Sequence, residues 1–200
     1  MSAFATGALM GFAIAAPVGP IGLLCIRRSL ADGRAAGLAT GLGAAAADAT
    51  YGIAVAMGLA ATGLLAYALP MQILGGLLLI WLGIGPLRSF LHPATHPPAG
   101  RTGLDTLRAF SGTYLLTLSN PATILAFLAM LAGLGTAAAG GPVWLVAGVF
   151  AGSALWWLML VHAALYAGRY LTPQSLRRID LASGVILILW GAVLVVKPLI

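Results

Sequence analysis

Ala16-Pro17-Val18-Gly19-Pro20-Ile21-Gly22 interrupts the first long apolar run of this chain. Two prolines three residues apart, with two glycines among them, do not fit a straight helix. Each proline removes a backbone donor and clashes with the carbonyl one turn earlier, and Gly19 tolerates backbone angles that other residues avoid. In lipid the freed groups need partners, so such backbone survives only where protein buries it or it lines a cavity. Pro20 is suited to be the first residue of a new half-helix, whose free amides and positive dipole end point toward the middle of the membrane. Arg27 and Arg28 fall near the other end of that half-helix, where cations are favoured. A mere packing kink would look the same, so the reading depends on what else lies at that depth.

The surroundings of the break are membrane. Of 200 residues 61% are hydrophobic and 7% charged, against roughly one-quarter charged in soluble domains. Apolar runs long enough to cross the bilayer extend over about Ala3–Ile26, Ala35–Leu59, Met71–Leu87, Phe110–Ala132, Val143–Tyr166 and Leu181–Val196. The last is short and is expected to begin earlier, near Arg177, with its arginines reaching the interface. No cation precedes the first run, as a secretory signal would require, so it is expected to remain as the first span.

Nine of the ten cations fall in alternate loops: Arg27, Arg28 and Arg34, then Arg88, Arg101 and Arg108, then Arg169, Arg177 and Arg178. Only Lys197 lies opposite. The positive-inside rule places these loops in the cytoplasm and both termini outside, as in a multi-pass protein of a bacterial cytoplasmic (inner) membrane. The same scatter excludes nucleic acid as a partner despite the net charge of +6, because no basic face or stripe forms. The single cysteine, Cys25, allows no disulfide or multi-cysteine metal site and reads as a small buried hydrophobe.

The run from Ser89 to Leu107 carries Pro93, Pro97, Pro98 and Gly100 and reads as a linker over 89–107, between halves at 1–88 and 108–200. The halves are weakly similar. Gly76-Leu-Leu-Leu-Ile-Trp-Leu-Gly83 parallels Gly184-Val-Ile-Leu-Ile-Leu-Trp-Gly191, and Phe4, Gly7 and Pro17 find counterparts in Phe110, Gly112 and Pro121. Three spans is an odd number, so the second half must be upside down. The expected fold is an all-α membrane protein of six transmembrane helices, built as two inverted three-helix repeats with helices one and four broken.

Helix four repeats the break at Ser119-Asn120-Pro121, where Asn is a strong N-cap and Pro a preferred first helical residue. Two positive helix ends converging from opposite directions suit an anionic group such as a carboxylate. Asp48 is the only acid deep within a span, and an acid at that depth is expensive enough to be functional by default, as proton carrier or as partner of a substrate cation. It shares a helix face with Gly37, Gly41, Ala45 and Gly52, small residues that admit close packing, so it is expected to point into the bundle. Tyr51, one turn on, is placed to donate a hydrogen bond to it.

His162 is the other ionisable side chain well inside a span, a candidate proton relay near the cytoplasmic end. His92 and His96 have metal-ligand spacing, but Pro93 between them reduces the pair to loop composition. Trp156, Trp157 and Tyr170 read as packing or interfacial anchors. No enzyme is expected. Ser153 and His162 lie nine apart on one helix, which turns them to opposite sides, and no nucleotide-binding loop, metal cluster or cofactor motif occurs.

With these residues identified, the chain resembles the LysE-type family of amino-acid exporters over essentially its whole length. The points of contact are Pro17-Val18-Gly19-Pro20, the stretch from Gly41-x-Gly43 to Asp48-x-x-Tyr51, Asn120-Pro121, and the six-span layout. The resemblance implies secondary export of an amino acid or a related small zwitterionic or carboxylated metabolite by proton-coupled antiport. Many members carry Asn or Gln directly after the Gly-Pro, where this chain has Ile21, and Lys after the Asn-Pro, where it has Ala122.

On this reading the substrate-binding candidates are Pro17, Gly19, Pro20, Ile21, Gly22, Asn120, Pro121 and Thr123, and Asp48, Tyr51 and His162 are the candidates for proton or cation coupling. The partners are the small-molecule substrate, protons and the lipid bilayer, and a homo-oligomer is compatible with all of it. The alternatives are a divalent metal-cation exporter of the same superfold, for which the intramembrane ligands are few, and a non-transporting membrane assembly protein.

Overall fold

The computed structural model describes residues 2–17, 19–56, 68–91, 103–120, 123, 125–127 and 141–197, and all regular structure among them is helical. Seven helices are bounded in chain order: α1 Ala3–Ala15, α2 Pro20–Asp32, α3 Arg34–Ala56, α4 Ala68–Leu91, α5 Gly103–Leu118, α6 Pro142–Gly168 and α7 Pro173–Val196. Their starts follow from local chemistry. Pro occupies the first turn of α2, α6 and α7, where its missing N–H is no loss. Thr172 caps α7 by accepting from the Ser175 amide at 3.2 Å. Gly33 and Gly141 adopt φ of 85° and 98°, left-handed backbone that lets the chain enter α3 and α6 directly.

Among the described residues three helices are long and apolar enough to cross a membrane: α4 from Leu69, α6 and α7. α1 and α2, bent by 83° to each other, make a fourth if taken as one broken span. α3 is as long, at 23 residues, but alanine, glycine, threonine and Asp48 make it less apolar. α5 has 16 residues before its break, and most of what the sequence assigns to the rest of the fourth span lies outside the described residues. α7 begins well before Leu181, as its arginines suggested. The linker is shorter than the 89–107 expected. α4 continues to Leu91, and α5 already begins at Gly103, with Asp105 in its first turn where the helix dipole favours an acid. His92 and His96 lie outside the described residues.

Two seams of glycine hold the bundle. On α1, a Cβ at Gly7 or Gly11 would strike the backbone of Leu145 or Val149, and on α6 a Cβ at Gly148 or Gly152 would strike that of Phe4 or Ala8. These contacts rise together along both helices, so α1 and α6 run parallel, backbone on backbone, through a pair of small-xxx-small motifs. α4 and α7 cross the other way. Gly76 lies against the carbonyl of Gly191 and Gly83 against that of Gly184, each reciprocally. The repeated glycine octets thus face one another, antiparallel. α3 packs between α5 and α6, and α2 leans on α3 with lesser contacts to α6 and α7.

The arginine-bearing ends of the helices meet at one end of the bundle. Arg27 Nε donates to Asp180 Oδ1 at 2.9 Å and its Nη1 reaches Asp32 Oδ2 at 3.4 Å. Ser89 Oγ donates to the other oxygen of Asp180 at 3.2 Å, and Arg177 donates to the Phe90 carbonyl at 3.2 Å. Arg28 Nη1 lies within 3.2 Å of Thr40 Oγ1, the Ala109 carbonyl and Thr113 Oγ1, tying α2 to α3 and α5. Lys197 follows α7 at the far end, about 35 Å along the helix at 1.5 Å per residue.

Gly152→Val should therefore be costly, because the added carbons meet backbone that cannot swing aside. Unfolding in mild detergent is expected to show a loss of at least about 1–3 kcal/mol. Gly112→Val, at a position where an added Cβ meets nothing within 4 Å, should unfold like wild type.

Candidate functional site

The first break is built as its prolines require. α1 ends at Ala15, with the Ala16 amide still bonded to the Phe12 carbonyl at 2.9 Å. Gly19 is extended (φ −105°, ψ −160°) and forms the N-cap of α2, its carbonyl accepting from Leu23 N at 3.0 Å. Pro20 is the first residue of α2, so the amides of Ile21 and Gly22 belong to a first turn with no partner inside the helix.

The second break lies at the end of α5. Ser119 N still bonds to the Leu115 carbonyl at 3.0 Å, Asn120 N folds back on the Thr117 carbonyl at 3.1 Å, and the chain is helical again at Thr123, whose amide bonds to the Asn120 carbonyl at 3.1 Å. Pro121 and Ala122 lie outside the described residues. Tyr51 clamps this break. Its hydroxyl donates to the carbonyl of Leu118, the last residue of α5, and its ring stacks on Phe127 beyond the break, with centroids 5.3 Å apart. The hydrogen bond expected between Tyr51 and Asp48 is thus replaced, because a carbonyl at a helix end lies closer to hand than the carboxylate.

Asp48 points into the bundle on the face its small neighbours define. It is 3% exposed, and Ser153 Oγ of α6 donates to its Oδ2 at 2.6 Å. On the same face Gly41 leaves room for Trp157, whose Cβ would lie 2.6 Å from a Cβ placed there. The tryptophan ring then packs among Ala15, Ala44 and Ala45.

These elements enclose a cavity of about 70 Å³ that opens to one side, smaller than the ~300–1,000 Å³ of drug-sized ligand sites. The first break contributes Pro17, Gly19, Pro20, Ile21 and Gly22 to its wall, and the second contributes Thr117, Asn120 and Thr123. Ala44 and Asp48 come from α3 and Trp157 from α6. Every described residue singled out from sequence for substrate binding is there, together with Asp48. Tyr51 stands behind the wall. His162 is elsewhere: it is exposed on α6, with Nδ1 2.7 Å from the Leu158 carbonyl.

Three residues of this neighbourhood escaped the sequence reading. From sequence Ser153 reads only as a possible nucleophile and Trp157 as a packing residue, and Thr117 carries no signal of its own. The available signal was mid-span polarity, since a lone buried acid needs a donor from another helix. Ser153 and Trp157, four apart, share one face of α6. Trp156 does pack as expected, edge-on against Phe12 at 5.4 Å. Among the described residues no group of three His, Cys, Asp or Glu stands close enough to hold a metal ion.

A family model described as LysE type translocator matches residues 12–198 of the chain. None of the curated proteins and none of the solved structures matches it.

The Ser153–Asp48 bond is short, buried and charge-capable, so its loss is expected to register. Ser153→Ala should destabilise the protein by about 1–3 kcal/mol. In an Asp48→Asn background the same substitution should cost less, and strictly additive losses in the double-mutant cycle would show the pair to be uncoupled.

Proposed function

The chain belongs to the LysE type translocator family, multi-pass membrane proteins that export amino acids or related compounds, and on that premise we propose that it is a secondary exporter of a small carboxylated or zwitterionic metabolite, working by proton antiport. The observation that carries the proposal is the single cavity walled by both helix breaks and Asp48. The substrate carboxylate meets the half-helix starts at Gly19 to Gly22 and Asn120 to Thr123, where free amides and positive dipole ends favour an anion. Asp48 exchanges a proton for the substrate ammonium. Carrying one or the other, never both, links outward movement of cargo to inward movement of protons.

Alternating access follows from two inverted repeats, residues 1–88 and 108–200, rocking about this site. Four features support that architecture. Exchanging the halves maps the α1–α6 contact onto the α5–α3 contact, and it returns the α3–α6 and α4–α7 contacts to themselves. The facing glycines behave alike: Gly76 on Gly191 becomes Gly184 on Gly83, and both contacts exist. The proposed location is a bacterial inner membrane, with the clustered arginines supporting that end as cytoplasmic.

Reconstituted vesicles test the coupling. With an imposed proton gradient the wild type should accumulate an amino acid against its gradient. Asp48→Asn should lose that accumulation while keeping downhill exchange. A variant that still concentrates substrate at the expense of the gradient would remove Asp48 from the carrier role.

A further inference from the structure

Two polar side-chain atoms among the described residues are buried with no hydrogen-bond partner: Thr117 Oγ1 and Trp157 Nε1. Both residues line the cavity, at 3% and 6% exposure, from different helices. Neither orphan is a habit of the fold. Thr40, Thr50 and Thr113 each return the hydroxyl to the carbonyl four residues back, at 2.8–2.9 Å. Thr117, one turn after Thr113, does not. Burying a polar atom unpaired is unfavourable, and valine or phenylalanine would fill the same space without that loss.

The chemistry of the pair restricts what completes it. An indole N–H donates only, so its missing partner is an acceptor, and a hydroxyl can donate to the same group. Ile21 and Gly22, in the first turn of α2 where amides lack partners inside the helix, belong to the same wall. The one carboxylate already in the cavity, Asp48, takes its hydrogen bond from Ser153. The wall therefore sets these donors beside Asp48, which bonds to Ser153 rather than to either of them. Gly41 makes room for the Cβ and Cγ of Trp157, which belongs to one buried cluster with Ala44 and Ala45, so the residue is held in place before any ligand arrives.

We infer that Thr117 and Trp157 are specificity-determining residues of the cavity, and that together they hold the free carboxylate of the cargo and reject its neutral amide or ester. This rests on the cavity being the transport site. It assigns to Trp157 a recognition role in addition to packing, and it gives a chain with the apolar Ile21 in the cavity wall a means to distinguish an acid.

The test uses the full chain in lipid nanodiscs, with L-threonine, L-leucine and L-lysine as probes beside their carboxamides. Wild type should bind at least one free acid about 10- to 100-fold more tightly than its carboxamide, as a lost hydrogen bond to a charged acceptor implies. Trp157→Phe and Thr117→Val keep the bulk and remove the donors. Each should lose most of that preference by weakening acid binding alone, and Thr117→Ser should restore it.

A second reading needs no variant to fold. In the indole ¹⁵N–¹H spectrum of the wild type, one of the five tryptophan cross-peaks should move downfield with the acid and stay still with the amide. Equal binding of acid and amide by wild type, or full preference in both isosteric variants, overturns the inference and leaves the export reading standing. Binding of no probe at all overturns both.

Discussion

Lipid offers no hydrogen bond to a broken helix, and this chain breaks two helices at depth. Everything near the centre of the bundle answers to that constraint. The break after Ala15 is closed by an extended Gly19 and restarted on a proline that lacks the donor anyway. The break after Leu118 hands its carbonyl to Tyr51 and its turn amides to carbonyls three residues back. What these repairs leave over is a first turn of α2, its amides without partners inside that helix, beside a hollow, and a hollow with polar walls in a membrane protein must be filled by water, ion or cargo.

The same constraint accounts for the acid. A carboxylate placed alone among hydrocarbon is costly, whereas Asp48 lies beside a helix start and under a serine hydroxyl at 2.6 Å. Its surroundings are small: Gly41, Ala44 and Ala45 line the same helix, and the space they leave is taken by a tryptophan from α6. Polar depth and small residues are thus one design, since only helices that approach closely bring a donor within reach of the acid.

Much of this could be read from residues alone. The Pro17 to Gly22 break, the Asp48 face, the arginine-bearing loops and the glycine octets are local patterns, each with a period or spacing that backbone geometry imposes. The breaks declared themselves because proline has one meaning inside a helix. The unread parts are partnerships across helices. Nothing in Tyr51 announces that Leu118 will present a carbonyl 67 residues later, and Ser153 becomes Asp48's donor only through the crossing of α3 and α6. Trp157 was taken for an anchor because tryptophan is common at membrane interfaces, and its depth depends on the slot opposite. Prolines at the centre of the 89–107 stretch say nothing of where the flanking helices stop, and α4 and α5 extend into it from either side.

The glycine seams bear on how such a protein diversifies. Where α1 meets α6 the contact at the glycines is backbone against backbone, and where α4 meets α7 the glycines meet one another's carbonyls directly, and a peptide chain is the same whatever side chains it carries elsewhere. A change of wall residue at Ile21 or Thr117 therefore meets no seam that must be repacked in concert. With the cavity as the proposed transport site, scaffold and selectivity fall on different positions, so a lineage of such proteins could trade one cargo for another by single steps without passing through an unfolded ancestor.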